Sequence, residues 1–224
     1  MTPIEADMKF LLLADIHGHL DYLIEIESDI EACDGIVLAG DITDFGGTEQ
    51  ARRIIKALSA FGKPLLAVPG NCDPPPVEEA LQAHHISLHG SRIACGDLHF
   101  VGVGGALPGA GTSPNHPAEN EFRRLLENSV SGLAPHENLV LVTHQPAWGI
   151  QMDRSGSGRH GGSRAIREFI DQYQPILAVS GHIHEARGVD QLGATTLVNP
   201  GAFNRGRYAI VEIAGKQASV KLYP

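Results

Sequence analysis

Five short apolar runs in this chain each end in residues that can bind a cation. Phe10–Ala14 leads into Asp15-Ile16-His17, and Ile36–Ala39 into Gly40-Asp41. Leu65–Val68 leads into Pro69-Gly70-Asn71, and Leu139–Val142 into Thr143-His144. Ile176–Val179 leads into Ser180-Gly181-His182-Ile183-His184. Two carboxylates, one amide oxygen and four imidazoles make a mixed oxygen and nitrogen donor set. Such a set suits manganese, zinc, iron, nickel or cobalt better than magnesium or calcium. So many donors exceed what one ion can use while still binding a substrate. They fit two ions that share a carboxylate and a water. His182 and His184 face the same way if their segment is extended. Taken singly, Asp15 reads as a helix cap, Asp41 or Asn71 as a turn residue, and His144 as a core histidine. The repetition of the pattern at every run end is what points to chemistry.

The elements that must position these residues follow from hydrophobic spacing. Strands are expected at Lys9–Leu13, Gly35–Ala39, Pro64–Val68, Leu139–Val142 and Ile176–Val179. Helices are expected over Leu20–Ala32, from a Thr48 cap to Ala60, near Val77–Ala83 after three prolines, over Glu119–Leu126, and from a Ser163 cap to Tyr173. Arg92–Cys95 and His99–Val103 read as a hairpin around Gly96-Asp97, and the tail from Gly188 to Tyr223 as short antiparallel strands. Two Gly-rich loops, Gly104–Pro117 and Ser155–Gly162, interrupt the pattern. The order implies an α/β domain of two packed sheets with helices outside. Ligands in such sheets bind beyond the carboxyl ends of the strands, where the five run ends lie.

The chain of 224 residues is read as a single domain, 1–224. Its formal charge of −9 disfavours a nucleic-acid partner, because an acidic surface repels a phosphate backbone. No apolar run reaches the roughly 20 residues needed to cross a bilayer, and the first residues lack the basic start of a secretory signal. Three scattered cysteines, Cys33, Cys72 and Cys95, read as reduced thiols. A cytoplasmic protein without a membrane partner is expected. No feature indicates an oligomeric state.

Asp15-x-His17, Gly40-Asp41-x-x-Asp44, Gly70-Asn71-x-Asp73, His144 and Gly181-His182-x-His184 resemble, in order, the five blocks of the calcineurin-like metallophosphoesterases. Asn199-Pro200-Gly201 and the terminal strands resemble the small bacterial and archaeal members. The resemblance implies a four-layer α/β/β/α sandwich with a dimetal site at one edge of two mixed sheets. It places Asp15, His17 and His184 on one metal and Asn71, His144 and His182 on the other, with Asp41 as the bridge. It implies catalytic positions at Asn71, Cys72 and Asp73. Many members carry histidine where this chain has Cys72, and a neutral thiol is a weaker hydrogen-bond donor than an imidazolium. Gly-Asn-Cys-Asp resembles a subgroup that includes small phosphodiesterases and the metal-poor scaffold subunit of retromer.

The expected activity is hydrolysis of a phosphodiester in a small phosphate-ester substrate, with a metal-bridging hydroxide as nucleophile. Two divalent ions are the expected cofactors, manganese first among them. Asp44 is expected to orient a ligand or a turn. His160, ahead of a helix start, is the candidate substrate contact. The alternatives are a phosphomonoesterase or protein phosphatase, and a non-catalytic scaffold of the same fold.

Overall fold

The computed structural model describes residues 7–109, 112–133, 138–156 and 158–224. The residues before Asp7, His136, and parts of both Gly-rich loops lie outside the described residues. Eleven strands form two sheets. The first sheet contains β1 (Met8–Leu13), β2 (Gly35–Ala39), β3 (Leu65–Val68), β10 (Tyr208–Ala214) and β11 (Gln217–Tyr223), in the order β11-β10-β1-β2-β3. The second contains β4 (Arg92–Cys95), β5 (Leu98–Val103), β6 (Leu139–Thr143), β7 (Leu177–Val179), β8 (Gly188–Leu192) and β9 (Thr195–Asn199), in the order β4-β5-β6-β7-β9-β8. The strands β1, β2 and β3 run parallel, as do β5, β6, β7 and β9. The remaining strands pair antiparallel at the flanks, so both sheets are mixed.

Alternation along the strands builds three apolar layers. Leu11 and Leu13 of β1 face outward with Ile36 and Leu38 of β2. They pack under α2 (Thr48–Ser59) and α3 (Pro75–Ala83), which contribute Ile54, Leu58, Val77 and Leu81. Phe10, Leu12, Val37 and Val68 face inward and meet Phe100, Val140, Val142 and Val198 of the second sheet. Phe10 and Phe100 meet edge to face at 4.9 Å. Val101, Val103 and Leu141 face the other way, under α4 (Glu119–Ser129) and α5 (Arg164–Tyr173). Strands covered on both faces carry near-continuous apolar sequence, which explains the runs seen in the chain. Removing one such side chain, as in Leu12→Ala, costs about 2–5 kcal/mol. The result is the expected α/β/β/α sandwich.

Three local expectations are corrected. The span Leu20–Ala32 is not one helix but a 3-10 turn, Leu23–Ile26, followed by the short α1, Glu27–Glu31. Neither start has a side-chain cap, and Ile24, which a single helix would turn inward with Leu20 and Leu23, is 80% exposed. Thr48 is the first residue of α2 rather than its cap; Gly47 occupies the cap with no side-chain bond. The tail is not wholly antiparallel, because β9 joins β7 in parallel while β10 crosses to the first sheet beside β1. Among the described residues no helix is long and apolar enough to cross a membrane.

Candidate metal centre

The parallel strands of both sheets end at the same edge. There β1 delivers Asp15 and His17, β2 delivers Asp41, and β3 delivers Asn71. The segments after β6 and β7 deliver His144, His182 and His184. Backbone bonds tie these ends together. Asp15 N donates to Gly40 O at 3.0 Å, His17 N to Asp41 O at 2.8 Å, and Gly181 N to His144 O at 3.1 Å. Two glycines permit the close approach. Gly40 has φ +85°, and a Cβ there would enter the His144 ring. A Cβ on Gly70 would collide with the Asp41 backbone.

The side chains fall into two groups around Asp41. His184 Nε2 lies 3.2 Å from Asp15 Oδ1, and the His17 and His184 rings meet at 5.4 Å between centroids. His144 Nε2 lies 3.0 Å from Asn71 Oδ1, and the His144 and His182 rings meet at 5.2 Å. Asp41 Oδ2 stands 3.7 Å from His17 Nε2 and 3.4 Å from His144 Nε2, so it touches both groups. Asp15, His17 and His184 present ligand atoms within 4.8 Å of one another, and so do Asp15, Asp41 and His144.

The arrangement fits metal ions on two observations. Asp15 Oδ2 and His17 Nε2 are buried without a hydrogen-bond partner, although a buried carboxylate oxygen left unpaired is costly. The backbone is also held in an unfavourable state at the donors themselves. Among the described residues seven non-glycine residues have positive φ, and four of them are Asp15, His17, Asp41 and His182. Such strain costs on the order of 1–3 kcal/mol per residue and collects at functional sites.

The charges respond to this crowding. Burial opposes ionisation of Asp41, but His144, the Cys72 amide and His17 together hold its carboxyl well below the usual range. Burial works against protonation of His144, yet Asp41 lifts it to about 9. His182 is lowered to about 4 by burial and then by the neighbouring His144. His184 is raised, chiefly by its hydrogen bond to Asp15. Protein charge alone therefore stores a proton on His144 that a cation would displace.

Neighbouring residues set the orientation of the donors. His144 Nδ1 bonds the Ala39 carbonyl at 2.8 Å across the sheet interface, which directs Nε2 to the cluster. Asn71 Nδ2 donates to Ser113 Oγ at 3.1 Å and to Cys72 Sγ at 3.3 Å, turning its oxygen inward. Cys72 is buried, and its sulfur lies within 4.8 Å of His17 and Asp41 ligand atoms. Burial first, then Asp41 and Asp73, pushes its thiol far above the ordinary range. Asp73 does not join the cluster. It accepts from Gly70 N and Ile42 N through one oxygen, and from Thr43 N and Oγ1 through the other. Its carboxylate thereby shapes the loops that carry Asp41 and Asn71. Asp44 is exposed and reaches only to 3.9 Å from His17 Nδ1.

His160 lies apart from the donors. Its Nδ1 meets Asp153 Oδ1 at 2.6 Å, and its ring tilts against Trp148 at 5.8 Å. The helix start beside it is already filled. Glu119 accepts from Arg164 N at 2.8 Å, Ala165 N at 2.9 Å and Ser163 Oγ at 2.6 Å, so no free anion site remains at that terminus. Glu119, Asp153, Gln145 and Ser113 were missed in the sequence. Each acts on a distant loop, and none has a spacing that announces it.

Comparison with known proteins agrees with the geometry. The calcineurin-like phosphoesterase profile matches residues 8–186. A protein of Methanocaldococcus jannaschii, itself uncharacterised, is 32% identical over 197 residues, covering 86% of this chain and 88% of its own length. A UPF0046 protein of Caenorhabditis elegans is 36% identical over 223 residues, covering 89% of this chain and 71% of its own. The crystal structure of TT1561 from Thermus thermophilus superposes with a TM-score of 0.74 at 18% identity, covering 96% of this chain and 99% of that one. Seven donors on two sheet edges and a profile match over most of the chain lead to one conclusion: the protein belongs to the calcineurin-like phosphoesterase family, whose members are dimetal phosphoric ester hydrolases.

Proposed function

We propose that the protein hydrolyses phosphodiester bonds in small phosphate esters, using two divalent ions, with manganese the preferred one. The carrying observation is the buried donor cluster with its orphaned Asp15 oxygen and His17 nitrogen. Asp15, His17 and His184 would hold one ion, Asn71, His144 and His182 the other, and Asp41 both. When bound, the ions supply an acidic water as nucleophile and positive charge for the phosphoryl oxygens. The chain's own part is placement. The Ala39 carbonyl fixes the His144 ring, and Ser113 fixes the Asn71 amide. Asp73 keeps the two loops in register.

Two features favour a diester over a monoester. Among the described residues the ion pairs of the seven donors run to one another and to Asp44, and the guanidinium of Arg205 acts on His184 only through space, which suits the single charge of a diester. His17 and His184 also reach the surface, with side chains 13% and 27% exposed, so their side of the cluster is open to solvent. The Cys72 thiol stays neutral and is a weak proton donor. The leaving oxygen takes its proton from water, which favours the more acidic alcohols. Three free thiols suit the reducing cytoplasm.

The test is a panel of aryl phosphates and matched aryl alkyl diesters with protein loaded with manganese, nickel or zinc. Diester turnover that exceeds monoester turnover is the expected result. Monoester turnover alone would make the protein a phosphomonoesterase. No turnover and no metal uptake by elemental analysis would leave a scaffold.

A further inference from the structure

Among the described residues only one phenylalanine and one tryptophan are exposed, Phe45 and Trp148. Each stands four residues beyond a donor, Phe45 after Asp41 and Trp148 after His144. Both exposed rings therefore belong to the loops of the donor edge, one from each sheet. Neither ring belongs to a core cluster, and both stand on loops that also carry donors.

Trp148 is held in place from several directions. Its backbone N–H donates to Ser163 O at 2.9 Å, and Arg167 donates to its backbone carbonyl at 3.3 Å. The Arg164 guanidinium sits 4.3 Å from the indole centroid, in cation–π contact. The His160 ring lies 5.8 Å away at 45°. His160 is fixed in turn by Asp153, a fully buried carboxylate that the donor cluster does not use. Asp153 Oδ1 holds His160 Nδ1 at 2.6 Å, while Oδ2 accepts from Gly149 N at 2.8 Å and Gly162 N at 3.3 Å. The buried carboxylate thus joins the two loop ends that carry the rings.

Two bonds tie the loop of this cluster to residues next to the donors. Gln145, next to His144, donates to Gly161 O at 2.8 Å. The backbone N–H of Gly156 donates to Glu185, next to His184, at 2.7 Å. The segment 154–167 contains four arginines and no carboxylate, in a chain of formal charge −9. Arg167 pairs with Asp171 at 2.9 Å, and the other three arginines add positive charge to the approach of an anionic ester.

We infer that Trp148 and His160, braced by Arg164 and Asp153, form a platform that receives a planar ring on the substrate's ester group, with the size and chemistry of a nucleobase. The inference rests on the phosphodiester reading above and narrows its substrate. Indole, imidazole and guanidinium planes are the groups that stack on bases without reading their sequence.

Trp148 is the single tryptophan of the chain, so its fluorescence reports on the platform alone. Adenosine 5′-monophosphate and ribose 5-phosphate share a sugar phosphate and differ in the ring. In metal-loaded protein, adenosine 5′-monophosphate should quench Trp148 saturably and bind at least about tenfold more tightly than ribose 5-phosphate. Equal responses to the two would overturn the inference. In turnover, Trp148→Ala should lower the preference for a nucleotide diester over a glycerophosphodiester by about tenfold in kcat/KM. An equal loss on both substrates would also overturn it. Ring-dependent quenching without diester hydrolysis would support the platform and remove the phosphodiesterase reading. Diester hydrolysis without ring preference would do the reverse.

Discussion

At the amino ends of the strands a cavity of about 310 Å³ opens between the sheets, lined by Asp7, Asp34 and Asp97 with Met8, Leu98 and Ile213. At the carboxyl ends, Asp15 and Asp41 lie buried among four histidines. Both ends carry carboxylates, yet they differ in strain and satisfaction. Asp34 accepts from Lys9 N at 2.7 Å, and no non-glycine residue with positive φ lines that cavity. The donor edge has four such residues and an acceptor with no partner. A hollow with carboxylates is ordinary surface. A hollow whose residues are held in costly conformations with unmet bonds is a site.

The contrast can be broken most sharply by removing one carboxylate from each end. Asp41→Asn should lower kcat/KM by on the order of a thousandfold or more, because the shared ligand of both ions is lost. Asp34→Asn should leave kcat/KM within about twofold, since no group of the site contacts it. Steady-state kinetics on one diester, with circular dichroism as the fold control, compares them. Comparable losses at both ends would remove the distinction.

Ion loading should act on the same edge. Wild-type protein with ion at about a hundredfold excess over its dissociation constant should gain roughly 3 kcal/mol, on the order of 5–10 °C in Tm. Chelation should reverse the gain, and Asp41→Asn should lack most of it. Differential scanning fluorimetry measures both. Gly40→Ala should cost about 2–4 kcal/mol, combining a left-handed backbone with overlap on the His144 ring. Urea unfolding reports it, and a cost below about 1 kcal/mol would contradict the close approach.

The smallest effect concerns protons. His144 is raised to about 9, so it is protonated at pH 7 and must release a proton when its nitrogen takes an ion. Affinity should therefore rise with pH by up to roughly tenfold per unit toward pH 9 and flatten above it. His182, lowered to about 4, is already neutral at pH 7 and should add no release. Calorimetry in buffers of different ionisation enthalpy counts the protons. In the ion-free fold the sign is opposite. The His144–Asp41 charge pair stabilises fully below the ordinary value of 6.5, and its contribution fades as pH rises through about 9.

The donor set was readable because each motif is local. A strand that ends in Asp-x-His or Gly-Asp carries its message within five residues, and parallel strands bring such ends together. The layers were readable for the same reason, since strands covered twice must be apolar throughout. What the sequence concealed depends on partners far along the chain. Asp73 is marked in the sequence by its motif alone, and its four bonds to distant loop atoms are visible only in the structure. Ser163 was foreseen as a helix cap, and its hydroxyl does accept from Ile166 N at 3.2 Å. The Glu119 that fills the same terminus is 44 residues away from Ser163 and unmarked by spacing. The failed helix over 20–32 shows that an apolar stripe without a cap is weak evidence.

The donors are divided between the sheets, with Asp15, His17, Asp41 and Asn71 on one and His144, His182 and His184 on the other. Any ion they share is also a rivet through both walls of the sandwich. Filling the centre should slow amide exchange at the ends of β1, β2, β6 and β7 far more than at their beginnings. The walls would then part from the opposite end first, which ties the mechanical resistance of the protein to the same atoms as its chemistry.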